Sequence, residues 1–131
     1  MKQNSQKHYA GVWLDNHHAT IITNISENES GDYAIQDKVK AKGNQGGGSE
    51  HSMNNAKQSE TLKYFKSVSS LLLNYDEILV FGPGKSQEQF QNHLQQDAQF
   101  KSKQISVDSA DQLTDPQMIA KVREFFKSRQ S

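Results

Sequence analysis

A chain of 131 residues suffices for one domain with a single core, and without Cys it has no disulfide or thiolate metal site, so apolar packing must supply the stability. Fifteen Lys plus Arg balance fifteen Asp plus Glu, which excludes the overall basic footprint that holds proteins on bare DNA or RNA; any nucleic-acid contact is local or shape-driven. No apolar stretch approaches the roughly 18 residues of a membrane span, and MKQNSQKHYAGVWLD lacks an apolar run behind a basic end, so a soluble cytoplasmic protein with no membrane or DNA partner is expected.

YAGVWL (residues 9–14) and HATIITNI (18–25) are short apolar runs led by aromatic and β-branched residues and read as strands. Asp15, Asn16 and His17 between them supply turn chemistry, which predicts a hairpin. After the polar SENESGD, the residues Tyr33, Ile35, Asp37 and Val39 alternate with a period of two, predicting a third strand on the same meander, placed at an edge by its polar character. The segment 40–55 is a flexible glycine-rich loop with Ala41 and Met53 as its apolar residues, and cannot fold on its own hydrophobicity.

From Ala56 the period changes. Leu62, Phe65, Val68 and Leu72, joined by Leu71 and Tyr75, form the stripe of an amphipathic helix. EILVFGPG is a continuous apolar run ending in Gly-Pro-Gly, which predicts a buried parallel strand. A second helix opens at Ser86, with Gln89 as the other half of a capping box and Phe90 and Leu94 as its apolar face. KQISVD predicts a fifth strand with Ile105 and Val107 on one side. Asp115 as N-cap, Pro116 at the first helical position, and Met118, Ile119, Val122, Phe125 and Phe126 predict a third helix. The order β-β-β-α-β-α-β-α implies one α/β domain over 1–131, a mixed five-stranded sheet flanked by helices, which is the ribonuclease-H-like architecture.

A two-metal nuclease on this scaffold needs carboxylates at the ends of two strands. Asp15 ends the first strand and Glu60 lies in the first helix, but Phe81 and Gly82 stand at the end of the fourth, so Asp15 reads as a turn residue. FGPGKSQEQF invites a phosphate-binding reading, yet Leu79 occupies the position where a P-loop requires its first Gly; a tight turn explains the glycines, with Lys85 left as an anion contact. His17 and His18 are adjacent and the remaining histidines have no ligand spacing, so neither a metal nor another cofactor is expected. No nucleophile-elbow pattern supports a Ser-His-Asp site.

GNQGGGSEH (43–51) remains. A connection of this length without apolar residues is either a tether or a functional loop, and each Gly adds about 0.5–1 kcal/mol of ordering cost, which packing does not explain. Taken in order, VWLDNHHATIIT, QGGGSEH, LKYFKSVSSLL, ILVFGPGKSQEQF and ISVDSADQLTD resemble the middle, peptidyl-hydrolysis domain of archaeal and eukaryotic class-1 peptide release factors and of Pelota, and more closely the stand-alone bacterial members of that superfamily. In those release factors a Gly-Gly-Gln loop followed by Ser reaches the ribosomal peptidyl-transferase centre. By this resemblance Gly46 and Gly47 match the two glycines, Ser49 matches the Ser, and Gly48 stands where the family has Gln; Gln45 reaches that position only by a shift of register.

The resemblance implies a ribosome- or tRNA-associated accessory module in translation rescue, quality control or stasis. Its contact element would be Gly43, Asn44, Gln45, Gly46, Gly47, Gly48 and Ser49, with the local basic cluster Lys38, Lys40, Lys42 and Lys57, and separately Lys85, as anion or RNA contacts. Codon-dependent termination is not expected, since the chain contains neither a codon-reading nor a partner-binding domain. Two alternatives stay open. One is a peptidyl-tRNA hydrolase using Gly46, Gly47, Gly48 and Gln45. The other is a protein-interaction adaptor or homodimer formed through the third strand or the Gly-Pro-Gly face.

Overall fold

The computed structural model describes residues 8–24, 33–41 and 50–130, with backbone alone for 50–59 and 128–130. The strands are β1 (Tyr9–Leu14), β2 (His18–Asn24), β3 (Tyr33–Lys40), β4 (Glu77–Gly82) and β5 (Gln104–Ser109). The helices are α1 (Glu50–Ser70), α2 (Ser86–Gln95) and α3 (Asp115–Gln130). The sheet runs β3-β2-β1-β4-β5, antiparallel from β3 to β1 and parallel from β1 to β5. This is the mixed five-stranded, ribonuclease-H-like α/β fold expected from the order of elements, with β3 at an edge.

The central strands explain their own composition. All six residues of β1 are buried, and β4 is buried from Ile78 onward, because helices cover both faces. On one face Ala10, Val12, Leu14, Ile21, Ile78 and Val80 pack under α1 and α2 through Tyr64, Phe65, Val68, Leu72, Phe90 and Leu94. On the other, Tyr9, Trp13, Ile22, Leu79 and Phe81 meet Met118, Val122 and Phe126 of α3. Each large side chain buried this way contributes roughly 1.5–3 kcal/mol. Ile105 and Val107 of β5 both pack toward the α1–α2 layer, as expected.

Strand β3 does not keep the alternation expected of it. Ile22 pairs with Ile35 but Ile21 pairs with Asp37, so Gln36 is an extra residue forming a bulge. Tyr33 and Ile35 therefore pack on the α3 side and Val39 on the opposite side, instead of sharing one face.

Helix α1 begins at Glu50, six residues before the change of period at Ala56 and inside the stretch read as loop. Once a packed turn exists, extension costs little per residue, so a polar segment such as HSMNNAKQ can continue the helix. The helix stops at Ser70, where Leu71 and Leu72 bond back to Val68 and Ser69 in tighter three-residue steps. Leu62 does not belong to the stripe: it is 53% exposed, whereas Tyr64 is 4% exposed.

Both predicted caps are displaced. Lys85, the residue before α2, makes no side-chain cap, and Ser86 lies buried in the first turn with its hydroxyl donating to Asn16 Oδ1. At α3 the capping box is Thr114 and Gln117: the Gln117 amide donates to Thr114 Oγ1 at 3.3 Å, and the Thr114 amide donates to Gln117 Oε1 at 2.9 Å. Asp115 sits one position later, where its carboxylate accepts from Lys38 Nζ at 2.9 Å.

Candidate functional site

Direction fixes where the loops emerge. Since β3 is antiparallel to β2 and β2 to β1, β3 runs the same way as β1, β4 and β5. The β1–β2 turn, the connection 42–49, the β4–α2 turn and the β5–α3 segment therefore all leave one edge of the sheet. Open α/β sheets bind their ligands outside this carboxyl edge.

The β1–β2 turn is the hub of that edge. Asp15 Oδ1 accepts from the amides of His17 and His18 at 2.8 and 2.9 Å and lies 2.9 Å from His18 Nδ1. Burial alone would raise the Asp15 carboxyl, but those amides and the His18 ring hold it below its ordinary value. Its oxygen is thus committed to shaping the turn, as expected of a turn residue. The Ala41 amide, at the root of the connection 42–49, donates to the His17 carbonyl at 2.7 Å. The Tyr64 hydroxyl of α1 donates to the Asp15 carbonyl at 3.0 Å, and Ser86 of α2 donates to Asn16. One three-residue turn therefore anchors the end of β3, the body of α1 and the start of α2. Burial, with the Asp15 charge nearby, pushes the Tyr64 hydroxyl well above the ordinary phenol range, so it remains a neutral donor.

Two open cavities flank the hub. The first, about 350 Å³, is lined by Asp15, Asn16, His17, Pro83, Gly84, Lys85, Ser86 and Gln89. Its floor depends on glycine at two positions for different reasons. Gly84 has φ +76°, a conformation that L side chains rarely adopt, and a Cβ there would meet open space. At Gly82 the backbone angle is ordinary, but a Cβ would lie 2.2 Å from the Leu14 carbonyl oxygen. Only one of the two glycines of Gly-Pro-Gly thus takes an unusual angle. Lys85 stands exposed at the rim of this cavity.

The second cavity, about 390 Å³, lies between β3 and α1 and is lined by Lys40, Glu60, Lys63, Tyr64, Lys66 and Ser67. Of the lysines expected as contacts Lys40 lines it, and Lys63 and Lys66 join it from outside that set. Their signal was visible in LKYFKSVSS, where two lysines three residues apart fall on one side of a helix. Lys38 is not gathered here, because it pairs with Asp115 on α3. Residues 43–49 and Lys42 lie outside the described residues, as does the side chain of Lys57. Among the described residues no group of three His, Asp or Glu side chains is placed to hold a metal ion, and no helix is long and apolar enough to cross a membrane.

Helix α1 carries the amino-terminal side of this site away from the sheet. Tyr64 touches the end of β1, while the turn after α1 returns to its beginning, where the His8 and Tyr75 rings meet edge to face. The helix thus runs from the carboxyl edge toward the opposite one. At a rise of about 1.5 Å per residue, Glu50 lies about 21 Å along the axis from Tyr64, outward past the sheet. Leu62 is exposed because, two positions before Tyr64, it lies about 200° round the helix from that buried ring.

No family model matches the chain, and no curated protein matches it in sequence. Solved structures do match in fold. Pelota from Archaeoglobus fulgidus superposes with a TM-score of 0.60 at 12% identity, covering 95% of this chain and 32% of that one. Pelota from Thermoplasma acidophilum gives 0.57 at 16% identity, covering 93% and 39%. The archaeal translation termination factor aRF1 gives 0.55 at 13% identity, covering 89% and 34%. The chain spans about a third of the length of the proteins it matches, and what it shares with them is the ribonuclease-H-like fold of their middle domain.

Proposed function

We propose that this protein is a cytoplasmic, non-enzymatic accessory module of release-factor-middle-domain type. It associates with the ribosome or tRNA in translation rescue, quality control or stasis, and it meets its partner through residues 43–51. One observation carries the reading. In a fold shared with Pelota and aRF1, the Gly46-Gly47-Gly48-Ser49 sequence lies in the connection from β3 to α1, which leaves the carboxyl edge of the sheet. Archaeal Pelota has itself been described bound to the ribosome together with ABCE1.

Gly48 sets the chemistry. A backbone N–H at that position offers one hydrogen bond to a partner or to a developing negative charge, but Gly brings no side chain with which to place a water molecule. A contact role follows more readily than hydrolysis. The bulge at Gln36 and the lysines that follow it blunt the β3 edge, which weighs against pairing through that strand.

The test is sedimentation of purified protein through a sucrose gradient with ribosomes, comparing the wild type with a variant lacking residues 43–49. The wild type is expected in the ribosomal fractions and the deletion variant at the top. Wild type that stays at the top overturns the proposal, as does a deletion variant that sediments equally. In parallel, ribosomes loaded with labelled peptidyl-tRNA are expected to release no peptide above background with wild type or Gly47→Ala. Release by the wild type that Gly47→Ala abolishes would establish the hydrolase instead.

A further inference from the structure

We infer that the groove lined by Lys40, Lys63 and Lys66 is a binding surface for the phosphate backbone of RNA. The inference rests on the proposed translation role and names the surface of this chain that would touch RNA. It concerns described residues alone and does not involve 43–49.

Charge carries the argument. The whole chain is neutral, yet among the described residues three lysines and a single carboxylate, Glu60, line this groove. Among the described residues no carboxylate forms an ion pair with Lys40, Lys63 or Lys66. All three lysines are exposed. By contrast, Lys38 and Lys121 are paired with Asp115 and Asp108, and Lys103 Nζ is held at 2.7 Å by the carbonyls of both Leu73 and Tyr75. The groove therefore collects cations whose charge is not answered within the fold, an arrangement suited to a polyanion.

Geometry narrows the polyanion. Lys63 and Lys66 are three apart on α1, which places their Cβ atoms about 5–6 Å from one another along one side of the helix. Lys40 faces them from the end of β3 across the groove. Tyr64 contributes a buried ring as wall, and its hydroxyl is already committed to Asp15, so the ligand is held by point charges without a directional polar partner. Lysine ammonium groups hold phosphates as point charges, and among the described residues no Arg lines the groove to impose a bidentate geometry. An acidic peptide docking as an added strand would need a regular β3 ladder, and the bulge at Gln36 interrupts it. Glu60 closes one end of the lysine row and would repel a phosphate there.

The test is fluorescence anisotropy with a labelled 12-nucleotide single-stranded RNA of mixed sequence, titrated in increasing KCl, with labelled polyglutamate as competitor class. Three phosphate contacts predict a slope of log K against log[KCl] of about −2 for a single strand. The triple variant Lys40→Gln, Lys63→Gln, Lys66→Gln should flatten that slope by about 2 and weaken binding at low salt at least tenfold, and each single change should flatten it by about 0.7. Lys101→Gln, at the opposite end of the sheet, should leave both unchanged, and melting curves check that each variant stays folded. A triple variant with wild-type affinity and slope, wild type that binds no RNA, or polyglutamate bound as tightly as RNA each overturns the inference. Its failure is distinguishable from failure of the proposed function. If wild type and triple variant co-sediment equally with ribosomes at every salt concentration, the groove is not the contact but the ribosomal reading stands.

Discussion

Gly11 and Val122 touch across the contact between sheet and α3: a Cβ at Gly11 would stand 2.3 Å from Val122 Cγ2 and 3.0 Å from Cγ1. The central strand β1 thus carries a glycine because α3 comes close enough to occupy the missing methyl's place. Val122 is fully buried and β-branched, so it cannot rotate away freely. Gly11→Ala should destabilise by about 1–3 kcal/mol through overpacking. Adding Val122→Ala should recover part of that loss, giving a non-additive double-mutant cycle by urea denaturation. Simple additivity would remove the contact as the cause.

Gly82 and Gly84 are separated by one residue and should respond differently to Ala. At Gly82 the obstacle is a carbonyl oxygen in the neighbouring strand, which side-chain rearrangement cannot relieve, so Gly82→Ala should cost at least about 2–3 kcal/mol. At Gly84 the space is open and the cost is conformational, about 1–2 kcal/mol. Gly84→Asn should recover much of it, since Asn tolerates left-handed backbone, whereas Gly82→Asn should be worse than Gly82→Ala. Equilibrium unfolding of the four variants checks the ordering.

Tyr64→Phe keeps the buried ring and removes the bond to the Asp15 carbonyl. A loss of about 0.5–1.5 kcal/mol is expected by chemical denaturation. Hydrogen exchange at the amides of His17, His18 and Ala41 should speed up more than at the β4 core, because those amides depend on the same turn.

His93 should make the fold weaken in mild acid. Its ring lies 5.6 Å from Phe65 and stacks on Phe90. Burial, reinforced by the Lys66 charge and opposed by Asp97, lowers its pKa from 6.5. The folded state thus favours neutral imidazole, and the unfolded chain binds the extra proton. Its contribution is complete above pH 6.5 and declines as pH falls below that value toward the lower folded-state pKa. Thermal midpoints should therefore fall between pH 7.5 and pH 5.5. In His93→Gln the decline over this interval should be smaller; an equal decline would assign it elsewhere.

The pattern of residues made the layering legible. YAGVWL and EILVFG announce strands buried on both sides, and the turn-rich DNH between two β-branched runs announces the hairpin. What the pattern hid depends on tertiary context. The bulge at Gln36 leaves no mark in YAIQDKVK, since pairing with β2 decides which residue is extra. Ser86 looks like a cap, yet its hydroxyl is taken by Asn16, seventy positions earlier in the chain. The Thr114 and Gln117 box was written in TDPQ, where Asp-Pro offered a competing start one residue later. Lys63 and Lys66 were masked by the apolar stripe beside them: a helix is read first for the face it buries, and the groove appears only when β3 supplies its second wall.

The outward run of α1 makes that helix a lever whose bearing is the junction of Tyr64 with the β1–β2 turn. An arm of about 21 Å converts a tilt of roughly 5° at the bearing into about 2 Å of travel at Glu50. Whatever Glu50 presents is therefore aimed from the sheet edge, and a single missing hydroxyl at the pivot would be felt most at the far tip.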